Sequence, residues 1–251
     1  MQTVAIMTIL RTMIYMPRTF HISNMNLQLS GIKILDGFNL DLQQGTFNTV
    51  LGLSGAGKTQ LLRTLSNLNS SLVNNPLTSE SVSFVFQKSL LFPWLNVFEN
   101  LKITTRKSNH EIDIWLKKFN LFEHKFSFPD ELSVGTQQKV NLSRAFITAS
   151  SLVFMDEPFT ALDHATKSQL HENLLQLWRE TKCTLLFVTH DIDEALILSQ
   201  NLFLLSKKEK RITKKITNLH AYPRQIFDPL FKDFYVDRYE EIAQFLADDY
   251  A

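Results

Sequence analysis

The sequence predicts an α/β fold built on a parallel β-sheet, with a block of helices inserted between two of its strands. Two observations carry this expectation. Short runs such as Leu152-Val153-Phe154-Met155 are apolar throughout, which suits strands covered on both faces. Between such runs lie stretches with apolar residues at helical spacing, and strands alternating with helices favour a parallel sheet.

Taken in order, Phe20 to Leu29 and Ile32 to Leu42 alternate as strands, with Asp36-Gly37 and Gln43-Gln44-Gly45 offering turns. Phe47-Asn48-Thr49-Val50-Leu51 is a short strand running into a glycine-containing loop at Gly52. Leu61, Leu62, Leu65 and Leu68 then recur on one helical face. The stretch from Asn67 to Ser81, rich in Asn and Ser, reads as a loop, and Ser83-Phe84-Val85-Phe86 as a strand ending at Gln87. From Pro93 to Pro129 the spacing is helical, as at Ile112, Trp115, Leu116 and Phe119, and a further helix begins near Ser133 and reaches Ala149. Residues 152–155 form a strand, 165–181 a helix, 184–188 a strand, 191–198 a helix and 202–205 a strand.

Composition excludes several classes. Hydrophobic residues make up 44% and charged residues 20% of 251 positions, as in ordinary globular chains. A net charge of +1 gives no global field toward nucleic acid or anionic lipid. The basic cluster Lys207, Lys208, Lys210, Arg211, Lys214 and Lys215 reads as a solvated strand-turn-strand edge. One cysteine, Cys183, permits no intrachain disulfide and sits in an apolar run suited to a buried structural role. No stretch of 18 or more apolar residues is present. Residues 1–18 read as a disordered or mis-assigned leader, with Met7, Met13 and Met16 as alternative starts.

Two motifs carry chemistry. Gly52-Leu53-Ser54-Gly55-Ala56-Gly57-Lys58-Thr59 fits G-x-x-x-x-G-K-[ST] between a strand and a helix. Glycines let consecutive N–H groups and the helix start point at phosphate oxygens, Lys58 adds a charge, and the Thr59 hydroxyl can ligate Mg²⁺. Asp156-Glu157-Pro158 puts two carboxylates at the C-terminal end of an apolar strand, where open parallel sheets bind ligands. Asp156 is placed to hold Mg²⁺ and Glu157 to orient or deprotonate the attacking water.

The segment between them makes the reading specific. Leu132-Ser133-Val134-Gly135-Thr136-Gln137 resembles the signature of the ABC family, L-S-G-G-Q, and further matches follow in family order. Phe86-Gln87 resembles the Q-loop, Thr160-Ala161-Leu162-Asp163 the D-loop and Thr189-His190-Asp191 the H-loop, with Glu194-Ala195 just beyond. The resemblance covers about residues 20–205. It implies an ABC-type P-loop NTPase with a RecA-like parallel-sheet core, a small antiparallel β subdomain and a helical subdomain inserted over about 90–148. The ATPase domain spans 19–215 and a helical tail 216–251.

The resemblance also implies an ATPase needing ATP and Mg²⁺ and two copies of the chain. Glu157, His190 and Gln87 would be catalytic, with Gln87 also near Mg²⁺. ATP on residues 52–59 would be covered by Ser133, Gly135 and Gln137 of a second copy, with Asp163 communicating across the pair. Transmembrane permease subunits, and indirectly an extracytoplasmic solute-binding protein, would be partners at the cytoplasmic face of the inner membrane; nucleic acid is not an expected partner. Leu91-Phe92-Pro93-Trp94-Leu95-Asn96-Val97-Phe98-Glu99-Asn100 resembles a run of the nitrate/sulfonate/taurine importer branch, which also serves thiamine-precursor pyrimidines, and places Phe92 and Trp94 at the permease contact. The tail from Tyr222-Pro223-Arg224 to Phe245 also looks like that branch.

Three departures stand out. Val134 replaces the signature's first glycine and Thr136 its glutamine; a valine forced to positive φ would be strained, slowing hydrolysis. Leu29 occupies the position of the usual adenine-stacking aromatic, leaving Phe20 and Phe38 as nearby rings. The loop over Asn67 to Ser81 is shorter than usual. Rival readings are a soluble ABC ATPase acting on ribosomes or DNA, which lacks support from any second cassette or coiled coil, and a regulatory subunit that turns ATP over weakly.

Overall fold

The computed structural model describes residues 18–68, 77, 79–160 and 162–250. Residues 1–17 of the expected leader, most of the loop following Asn67, and Ala161 lie outside that set. Among the described residues no helix is long and apolar enough to cross a membrane.

Strands β1 (Thr19–Leu29) and β2 (Ile32–Gln43) form an antiparallel pair. Their turn lies at Ser30 and Gly31, both at positive φ, and not at Asp36-Gly37. Those two residues sit inside β2 where the register shifts, and Gly37 at φ 58° absorbs the bulge. The pair buries Phe20, Ile22, Leu27, Leu35, Phe38, Leu40 and Leu42 on one face, the period-2 pattern read from sequence.

The main sheet contains β3 (Phe47–Leu51), β4 (Val82–Val85), β5 (Leu152–Asp156), β6 (Thr184–Thr189), β7 (Asn201–Ser206) and β8 (Arg211–Thr217). Their order is β4-β5-β6-β3-β7-β8, parallel except for the terminal β7–β8 hairpin. Every residue of β3, β5 and β6 is buried, as expected for strands covered on both sides. The basic cluster falls on the β7–β8 turn and on β8, a largely exposed edge.

Helices cover both faces. On one side, α1 (Lys58–Leu65) and the β1–β2 pair pack on Val50, Leu152, Phe154, Leu186 and Val188. The other carries α2 (Val97–Lys102), α3 (Asn109–Lys118), α4 (Val134–Ile147) and α5 (His164–Thr181) around Phe47, Val85, Val153, Met155 and Phe187. The first three of these lie between β4 and β5, which are neighbours in the sheet, so the chain leaves and re-enters at adjacent strands. Asn96 and Ser108 start α2 and α3 with complete capping boxes, each closed by a Glu three residues on.

Helix α6 (Ile192–Leu198) follows β6, and the chain ends in α7 (Pro229–Tyr250). The helix begins later than the expected tail because β8 continues to Thr217 and residues 218–228 are irregular. Ile242, Phe245 and Leu246 of α7 pack on Ala195, Leu196 and Leu204. Asp249 accepts bonds from the Ser206 hydroxyl at 2.6 Å and the Lys207 N–H at 2.7 Å, tying the end of α7 to the β7–β8 turn. Cys183, just before β6, is 5% exposed, and burial pushes its thiol pKa up to about 11.

Candidate functional site

Sheet register builds the site. Leu51 pairs with Thr189 and Asp156 with Val188, so Gly52, Glu157 and His190 leave the carboxyl ends of three adjacent strands side by side. The Glu157 N–H extends the ladder by donating to the Val188 carbonyl at 3.1 Å. Glu157 itself sits at φ 44°, a conformation rare for residues with a Cβ. Such strain persists where surrounding structure enforces it, and it occurs often at functional positions.

The loop from Gly52 to Gly57 wraps to the start of α1. Gly55 and Gly57 take φ of 82° and 98°, where an L side chain is disfavoured. Gly52 is needed for a different reason: a Cβ there would stand 2.7 Å from the Leu205 carbonyl oxygen. Ser54 and Gly55 are exposed at the loop tip, Ala56 is buried, and Leu53 accepts the Ala56 N–H.

Lys58 is buried, and burial lowers its pKa, opposed by Glu157 and then Asp156. Its ammonium donates to the carbonyls of Gly52 at 2.8 Å and Leu53 at 3.1 Å and stands 3.3 Å from Glu157 Oε1. The other Glu157 oxygen meets His190 Nδ1 at 2.9 Å. Thus Lys58, Glu157 and His190 form one contiguous chain of polar contacts.

Thr59 Oγ1 donates to Asp156 Oδ1 at 3.0 Å. Burial raises the Asp156 pKa, partly offset by that bond. Octahedral Mg²⁺ with ligands at about 2.0–2.1 Å holds neighbouring oxygens about 3 Å apart. The two oxygens match that spacing and are the hard donors the ion prefers. Among the described residues no group of three or more His, Cys, Asp or Glu side chains is arranged to hold a metal ion alone.

The remaining expected residues lie elsewhere on the chain. Ser133 is the N-cap of α4, its hydroxyl accepting the Thr136 N–H at 3.2 Å. Gly135 is in the first turn, against Thr166 of α5. Val134 is the first residue of α4, at helical and not positive φ, so the strain expected from replacing glycine does not exist. Its side chain is 60% exposed. Gln137 is turned inward, donating to the Pro129 carbonyl at 2.8 Å and accepting from Ser89. Gln87 is exposed and lines a cleft with Ser89, Val134, Gln137, Pro158 and Leu162. Asp163 caps α5, accepting N–H groups of Ala165 and Thr166; hydrogen bonds from Thr166, hydroxyl then backbone, lower its pKa.

Neither expected aromatic is available to a base: Phe20 and Phe38 are both buried beneath the β1–β2 pair. Sequence reading also missed Lys167, whose ammonium lies 3.0 Å from both Asp191 and Glu194, directly behind His190.

Near the inserted helices, fully buried Asn100 accepts the Phe92 N–H and donates to the carbonyls of Phe92, Leu95 and Asn96. This staples the loop that leaves Trp94 70% exposed, and it explains why the run of residues 91–100 ends in Asn.

Residues 35–160 match the family described as ABC transporter. The chain belongs to that family. It is an ATP-binding cassette ATPase. Among curated relatives, it is 37% identical over 209 residues to the aliphatic sulfonates import ATP-binding protein SsuB of Bacillus thuringiensis subsp. konkukian, covering 78% of this chain and 83% of that one. The SsuB of Bacillus subtilis is 34% identical over 224 residues, covering 84% and 87%. A spermidine/putrescine import ATP-binding protein, PotA of Fusobacterium nucleatum, is 34% identical, covering 75% of this chain and 55% of its own length. Among solved structures, the ATP-binding cassette MJ0796 in a dimeric post-hydrolysis state with ADP and Pi superposes with a TM-score of 0.65 at 24% identity. The match covers 82% of this chain and all of that one, and it supports the fold.

Proposed function

We propose that two copies of this chain sandwich ATP, and that closing and opening of the pair drives a permease that imports an anionic solute of the sulfonate class. The observation that carries the mechanism is the contiguous set Lys58, Glu157 and His190 at three adjacent strand ends. The solute class rests on the sulfonate importers among the relatives and on the Phe92–Asn100 loop; this subunit never touches the solute.

In this reading the backbone N–H groups of residues 54–59 and the start of α1 hold the β- and γ-phosphates. The Lys58 ammonium exchanges Glu157 Oε1 for a γ-phosphate oxygen. Thr59 and Asp156 would hold Mg²⁺, whose charge would offset that of the phosphates. Glu157 Oε1, released by Lys58, accepts a proton as the water oxygen attacks the γ-phosphorus and the bridging bond to ADP breaks. His190 holds Glu157 and reaches the γ-phosphate. Ser133, Gly135 and the α4 N-terminus of the second copy close over the same phosphate, their free N–H groups and helix dipole favouring the anion. Gln87, Gln137 and Asp163 link this closure to the helical insertion, where exposed Trp94 meets the permease at the cytoplasmic face of the inner membrane.

The test is wild type against Glu157→Gln, each with Mg-ATP, read by phosphate release and by mass from light scattering. The expected outcome is turnover in wild type, a fall of roughly 10²–10⁴-fold in the variant, and a nucleotide-trapped pair of variant chains. Wild type that binds ATP yet releases no phosphate, even with its permease, would replace this reading with a regulatory subunit whose signature helix is blocked by exposed Val134.

A further inference from the structure

The polar cluster behind His190 joins Thr189, Asp191 and Glu194 to Lys167, a residue of no motif used above. Thr189 donates its hydroxyl to Glu194 Oε2 at 2.7 Å and accepts the Asp191 N–H at 3.1 Å. Asp191 Oδ1 caps α6 by accepting the Glu194 N–H at 3.2 Å. One ammonium serves both carboxylates: Lys167 Nζ lies 3.0 Å from Asp191 Oδ2 and 3.0 Å from Glu194 Oε1. Glu194 is 3% exposed, so its charge depends on that partner. Burial is the largest influence on all three groups. It raises the Glu194 pKa on balance, whereas for Asp191 hydrogen bonds from the Glu194 N–H and Lys167 outweigh it, and for Lys167 those to Glu194 and Asp191 do.

Lys167 also belongs to the other side of the site. Its N–H donates to the Asp163 carbonyl in the first turn of α5, the turn that Asp163 caps and whose Thr166 packs against Gly135. A single side chain therefore joins the start of α5, which abuts the signature helix, to the turn that carries His190.

From this geometry we infer that Lys167 is a positioning residue for hydrolysis. It fixes the turn over residues 189–194 so that His190 Nδ1 meets Glu157 Oε2, and it makes that alignment depend on where the first turn of α5 sits. The inference rests on the proposed role of His190. A merely structural salt bridge would stabilise the chain without setting the rate; a positioning one sets the rate at saturating ATP while leaving nucleotide affinity alone.

The experiment compares wild type, Lys167→Met, Lys167→Arg, the double variant Lys167→Met/Glu194→Gln, and His190→Ala, all in the full chain. Phosphate release across ATP concentrations, affinity for a fluorescent ATP analogue, and thermal midpoint are read together. The expected result is a fall in kcat of at least tenfold in Lys167→Met with analogue affinity within twofold of wild type. Lys167→Arg recovers most of the rate, because a guanidinium can also bridge two carboxylates. The double variant removes the buried uncompensated charge, so it regains thermal stability, yet stays slow. If the double variant regains rate along with stability, Lys167 only neutralises Glu194 and the inference falls. It falls likewise if Lys167→Met turns over like wild type while His190→Ala is inactive. Should His190→Ala itself hydrolyse at the wild-type rate, the role given to His190 fails first, a distinguishable result.

Discussion

The two halves of the proposed nucleotide site differ in how far one chain completes them. Lys58, Glu157 and His190 already form one chain of contacts and Thr59 already meets Asp156, around the ends of three adjacent strands. Ser133 and Val134 are exposed at the start of α4, and Gln87 is exposed in the cleft beside it. Rigid strand ends preset the half that must be accurate before ATP arrives. The other half rests on a helix terminus, whose N–H groups and dipole act on whatever phosphate is brought to them.

The comparison is broken or sharpened most strongly by removing one polar side chain from each half. Lys58→Ala is expected to weaken ATP binding to the single chain roughly 10- to 100-fold, the worth of a charge-assisted hydrogen bond. Ser133→Ala should leave that affinity unchanged and lower only the turnover of the pair. Equal losses of affinity in calorimetric titrations would mean that the halves are not separate.

A second prediction sets function against stability within the preset half. Burial holds the Asp156 carboxyl above its ordinary value of 3.8, so its ionised form works against folding. That cost is absent below pH 3.8, where the carboxyl is protonated folded and unfolded, and complete once pH exceeds the raised folded-state value. Asp156→Asn, which still accepts from Thr59, should therefore raise the thermal midpoint at pH 7, with the gain vanishing toward pH 3.8, while Mg²⁺-dependent hydrolysis is lost. An unchanged midpoint at pH 7 would count against burial as the dominant influence.

The smallest effect is expected in the other half. Val134 is unstrained, so its influence is the bulk it presents to an incoming phosphate. Val134→Gly should raise turnover a few-fold despite costing about 0.5–1 kcal/mol of helix stability, measured by steady-state phosphate release and thermal melting. A fall in turnover would show that the valine contributes to closure.

Most of the preset half was legible because its chemistry forces residue types into a fixed local order. Phosphate needs glycines before Lys58, and a buried strand must end where Asp156 and Glu157 begin. What stayed illegible depends on contacts distant in sequence. The Lys167 bridge spans 24 residues to Asp191 and had no local pattern. The same holds for Asp249, whose role as cap of the β7–β8 turn arises only when α7 docks. Asp36-Gly37 misled because a bulge and a turn ask for the same residues; only the pairing of β1 with β2 separates them. Val134 misled in another way, since the signature's glycine suggested a backbone requirement where the structure shows a helical residue.

Burial of Cys183 has a practical consequence for watching two chains meet. With no other thiol in the sequence, and this one shielded and shifted far above neutral pH, maleimide chemistry finds no ready target in the native protein. A cysteine introduced at a single exposed position, for example by Leu230→Cys on α7, would carry the one reporter group per copy. Spin-label or fluorophore distances between two such copies could then follow their approach through the ATP cycle without first deleting a native residue.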